Sequence, residues 1–111
     1  MLTQIQENII TDLIIDNGLI FNEVKSWLLN HNTRAYVRAD SVIKYCHTLF
    51  METVYDATNT NTDYIQNRLV DLLSGLAKYR RQYGVGTNCY KLFNSLFDKT
   101  AEAFNDFNNT L

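Results

Sequence analysis

The sequence predicts an all-α fold: a compact bundle of about five helices in a single domain spanning residues 1–111. Proline is absent, and helix interiors exclude it whereas β-rich domains usually place some in turns. Apolar residues recur at spacings of three and four along most of the chain, the period of a helix with one buried face. Breaks built from glycine or short polar residues separate these stretches at Asn17-Gly18, His31-Asn32, Thr58–Thr62 and Gly84–Gly86. With 111 residues, 46% hydrophobic and 20% charged, the chain has material for a core without disulfide or metal staples.

The first helix is expected over 3–16. Thr3 and Gln6 have the spacing of a capping box, in which each side chain satisfies the other residue's free backbone N–H. Leu2, Ile5, Ile9, Ile10, Leu13 and Ile14 share one half of its surface, and Ile15 lies off that stripe. Asn17-Gly18 is read as its left-handed terminus. The second helix, 22–31, starts at Asn22 and presents Val24, Trp27 and Leu28.

The third helix is the most apolar and is expected over 39–57, with a possible start at Thr33. Ala39, Val42, Ile43, Cys46, Leu49, Phe50 and Val54 make its stripe, leaving Tyr45, Met51 and Tyr55 outside. Thr58–Thr62 reads as a loop whose residues compete with helix for backbone hydrogen bonds, with Thr62 capping the fourth helix. That helix, 63–82, buries Ile65, Leu69, Leu72, Leu73 and Leu76, with Gly75 opposite. The fifth, 88–107, is capped by Thr87 and carries Cys89, Leu92, Phe93, Leu96, Phe97, Ala101, Phe104 and Phe107. The short glycine loop before it predicts that the last two helices form an antiparallel hairpin.

Charge and composition narrow the function. The net charge is −2, which provides no global basic field for nucleic acid or anionic membranes. Acidic residues dominate positions 1–24 and basic ones positions 64–91; the two segments are expected to lie against each other. The N-terminal residues have no cationic segment leading into an apolar core, and no apolar run approaches a membrane span, so a cytoplasmic protein is expected. Thirteen asparagines with few lysines hint at a phage or mobile-element origin on composition alone.

No motif for catalysis, metal or cofactor emerges. Cys46 and His47 are adjacent and therefore diverge by 100° on a helix, and the chain has neither C-x-x-C nor H-x-x-x-H spacing. Gly84-Val85-Gly86-Thr87 leads into a helix but lacks the remaining glycine and the Gly-Lys-Thr/Ser of phosphate loops. The acidic residues are spread over helix faces instead of clustering. The expectation is a non-enzymatic protein without cofactor or metal.

What remains is surface for another chain: an adaptor, an inhibitor of a larger complex, or a homodimer. Met51 and Tyr55, neighbours at i, i+4 off the main stripe, are the first candidate contacts. The run Lys78–Tyr83 supplies Tyr79, Arg80, Arg81 and Tyr83, residue types enriched at interfaces, although cations there also cap a helix C-terminus. The alternative is a helix-turn-helix formed by the second and third helices, with Arg34, Arg38 and Lys44 facing nucleic acid. The acidic net charge and the absence of glycine in the turn count against it.

Overall fold

In the computed structural model, which describes residues 2–55 and 61–111, four α-helices carry the chain: α1 (Gln4–His31), α2 (Thr33–Phe50), α3 (Thr62–Arg80) and α4 (Asn88–Asn108). A π-helical segment, Met51–Tyr55, extends α2. Among the described residues there is no strand. Among the described residues the count is four α-helices, not five, because the first two expected helices are one.

The capping box at Thr3 forms as the sequence implies: the Gln6 N–H donates to Thr3 Oγ1 (3.2 Å), and the Thr3 N–H to Gln6 Oε1 (3.0 Å). Beyond it α1 passes through Asn17-Gly18 without interruption and ends only at Asn32. The reason lies in Asn17. Its side chain is fully buried and donates towards Thr100 Oγ1 (3.4 Å) and Cys46 Sγ (3.6 Å), tying α1 to α2 and α4. Ile10, Leu13, Asn17, Phe21 and Leu28 then form one continuous buried stripe. Asn22 is therefore an exposed mid-helix residue and caps nothing.

Asn32 alone joins α1 to α2. Its N–H donates to Leu28 O, and its Oδ1 accepts from the Ala35 N–H (3.0 Å), so one residue ends one helix and caps the next. The alternative start at Thr33 is the one adopted, and the α-helix gives way to π geometry at Met51. Thr53 is buried in that segment, its hydroxyl donating to Leu49 O. The end of the expected third helix and most of the Thr58–Thr62 loop lie outside the described residues. Asn61, not Thr62, caps α3, whereas Thr87 caps α4 as expected.

The core takes Ala35, Ala39, Val42, Cys46 and Leu49 from α2, Ile65, Leu69, Leu72 and Leu76 from α3, and Cys89, Leu92, Phe93, Leu96 and Phe107 from α4. Gln6 pairs with Thr110, Asn17 with Thr100, Arg80 with Asn94 and Gln66 with Asn108. These pairs place the start of α1 beside the end of α4, and the end of α3 beside the start of α4. The result measures 43 × 22 × 17 Å. No described helix is long and apolar enough to cross a membrane.

Candidate functional site

The two halves of the expected interface occupy opposite ends of α2. Tyr55, in the π segment, is 72% exposed, and Met51 beside it is half-buried. Between them Glu52 turns to α3, accepting from the Tyr64 hydroxyl and approaching Arg68 at 3.6 Å. The Arg68 guanidinium lies 4.7 Å from the Tyr45 ring centre and 5.5 Å from that of Tyr64. The hydrogen bond to Glu52 raises the pKa of the Tyr64 hydroxyl, and burial raises that of Tyr45. This cluster fastens the π segment to α3 and leaves Tyr55 facing outward.

The basic run at the end of α3 is largely committed to packing. Tyr83 stacks on Phe93 (ring centres 5.5 Å apart, 6° between planes), and Tyr79 meets the same ring at 57°. Arg38 of α2 lies over both tyrosines and donates to Tyr83 Oη (2.8 Å). Arg80 donates to Asn94 (2.9 Å) above the Phe97 ring. Of Tyr79, Arg80, Arg81 and Tyr83, Arg81 alone is exposed, as are its neighbours Lys78 and Gln82 in the run. For the alternative trio, Arg38 is thus engaged, Lys44 pairs with Asp40 at 2.9 Å, and Arg34 is exposed.

A larger apolar surface lies on α1, across the break expected at Asn17-Gly18. Ile5 (65% exposed), Ile15 (52%), Leu19 (59%) and Leu29 (51%) stand on the outward side of α1, opposite its buried stripe. The sequence pattern places Ile5 on the core half of a shorter helix; it points to solvent instead. Continuity through residues 17 and 18 is the signal that would have found this face. Once the helix is unbroken, Ile15 and Leu19 are i, i+4 neighbours rather than one stray residue and one loop residue.

Charge is segregated along the bundle. Glu7, Asp12, Glu52, Asp63, Glu102 and Asp106 lie towards the end holding the start of α1 and the end of α4, against Arg68 and Lys99. Arg34, Arg38, Lys78, Arg80, Arg81 and Lys91 lie towards the opposite end, with Glu23 and Asp40. The expected juxtaposition of the acidic first segment with the basic 64–91 segment is met at one place, where Glu23 of α1 and Lys91 of α4 line one groove. The principal neighbours of α1 are α2 and α4, and Asp12 and Asp16 share a groove with Glu102, Asp106 and Lys99.

The titratable groups are arranged for packing. Burial pushes the Cys46 thiol up to about 11, so it is protonated at neutral pH and is no thiolate nucleophile. Its sequence neighbour His47 points to solvent. Burial also raises Cys89, opposed by a hydrogen bond from Asn32. Among the described residues no three His, Cys, Asp or Glu side chains are grouped to hold a metal. Comparison with protein-family models, curated proteins and solved structures returned no match.

Proposed function

We propose that the protein is a small non-enzymatic binding module that recognises another protein chain through the outward face of α1, with Tyr55 and Met51 a second contact at the acidic end. The observation carrying this reading is the row of four large aliphatic side chains, each more than half exposed, on one face of one helix. Scattered exposed hydrophobics are ordinary, whereas an aligned set on one face marks an interaction surface. Tyr79, Arg80 and Tyr83 drop from the leading contacts to a structural role. In the same reading α3 and α4 form an antiparallel hairpin, supported by the Arg80–Asn94 and Gln66–Asn108 pairs, and the chain is a single domain presenting these helices rigidly.

The test is capture by wild-type, Leu19→Lys and Tyr55→Glu baits from the native host, with nuclease added. Leu19→Lys should lose at least about tenfold of any specifically captured chain, including the protein itself, the effect of about 1.4 kcal/mol. Its melting temperature should stay near that of wild type because Leu19 contributes little to the core. Equal capture by all three baits, or no binding to any chain, overturns the proposal.

A further inference from the structure

The exposed face of α1 is symmetric along the helix. Its aliphatic residues fall at 5, 15, 19 and 29, and these positions pair about residue 17: 5 with 29, 15 with 19. The positions between them at heptad spacing, Asn8, Asp12, Asn22 and Ser26, are all exposed, and they obey the same symmetry, 8 with 26 and 12 with 22. The full set steps by three and four through 24 residues, the seam pattern of two packed helices. Its drift across a straight helix is taken up by a crossing angle of about 20°.

Resting on the binding-module reading, we propose that the chain on this face is a second copy of the protein, its α1 antiparallel to the first about a two-fold axis beside residue 17. In that register Ile5 packs on Leu29 of the second copy and Ile15 on its Leu19. Asn8 meets Ser26, and Asp12 meets Asn22, whose amide donates to the carboxylate. Apolar faces apolar and polar faces polar at every layer. Sliding one copy by a heptad in either direction sets Ile5 against Asn22, or Leu29 against Asp12. Parallel pairing stacks Asp12 on Asp12 and acidic end on acidic end. The antiparallel arrangement instead brings the acidic end of each bundle beside the basic end of the other, the complementarity that fixes orientation.

Gly18 flanks this seam without belonging to it. It lies inside α1, where a Cβ would meet nothing within 4 Å, so the fold of one copy gives no reason for a glycine that weakens helix by about 1 kcal/mol. The 28 residues of α1 span about 42 Å, and at a helix width of about 10 Å they cover about 420 Å². Stable interfaces use about 800 Å² per partner. Half the layers are polar as well, so the dimer is a reversible one that dissociates at micromolar concentrations.

Sedimentation over roughly 5–500 µM tests this. The mass should rise from 12.9 kDa towards twice that value, and Leu19→Lys and Ile15→Lys should hold it at the monomer while melting normally. Orientation is read by oxidation of engineered cysteines, with the wild type as control because Cys46 and Cys89 are buried. Ile5→Cys mixed with Leu29→Cys should cross-link, and neither should do so alone, since like positions lie about 36 Å apart at 1.5 Å per residue. A mass fixed at the monomer throughout overturns the dimer. If Leu19→Lys then still abolishes capture of another chain, the binding-module reading survives and only the identity of the partner fails. A dimer indifferent to Leu19→Lys, or cross-linking of Ile5→Cys alone, overturns the seam or its direction.

Discussion

Cys46 shows how one buried group ties stability to solution conditions. Packed beside Asn17 in the core, its thiol is raised by burial from 9.0 to about 11. Between those values the unfolded chain releases the proton while the folded chain keeps it, so the unfolded state binds fewer protons and stability falls as pH rises. At about 1.4 kcal/mol per unit the loss is on the order of 2 kcal/mol across the window. Urea unfolding at pH 9, 10 and 11 should show it, with Cys46→Ala losing less over the same range. Tyr45 and Tyr64 are also raised and act in the same direction, so the difference between the two proteins isolates the thiol. Parallel pH profiles would remove the burial argument. The location of Cys46 was legible beforehand from its place in an apolar stripe. The identity of its buried neighbour was not, because nothing local distinguishes a core asparagine from a turn asparagine.

The same asparagine decided the element boundaries. Asn-Gly after an apolar run has the chemistry of a helix terminus, which by local propensity alone divides α1 into two helices. The helix continues because burying Asn17 between α2 and α4 keeps Phe21 and Leu28 on the same stripe as Ile10 and Leu13. That is tertiary packing outweighing local propensity. By contrast the caps at Thr3 and Thr87, the break at His31-Asn32, and the stripes of α3 and α4 were readable because their partners lie within four residues. Gly18→Ala discriminates the two descriptions of α1. In a continuous helix with open space at the missing Cβ, alanine should raise stability by about 1 kcal/mol, measured by denaturant midpoint at a protein concentration too low for self-association. In a left-handed terminus the same change would destabilise.

At the scale of the whole molecule, the question is whether the basic end is a surface or a structural joint. An isolated stretch such as Arg34 to Lys44 resembles a groove-facing helix only until its partners are known. Arg38 spans the gap from α2 to α3, donating to Tyr83 and lying over two aromatic rings that rest on Phe93. A one-residue joint at Asn32 lays α2 along α1, with Ala35, Ala39, Val42 and Cys46 facing the core; helix-turn-helix units use three or four residues and a wide angle. The cations at this end are balanced by acids elsewhere to a net charge of −2, and counterion release, which drives binding to duplex DNA, scales with the phosphates neutralised. Arg38→Ala should therefore act on stability, lowering it by about 1–2 kcal/mol through the lost hydrogen bond and ring contacts. Arg34→Ala, at an exposed position, should leave stability nearly unchanged. Fluorescence anisotropy with a labelled duplex near physiological salt should show no saturable binding by either variant or by wild type. Sub-micromolar binding by wild type that weakens in Arg34→Ala would reverse the assignment and make the basic end a nucleic-acid surface.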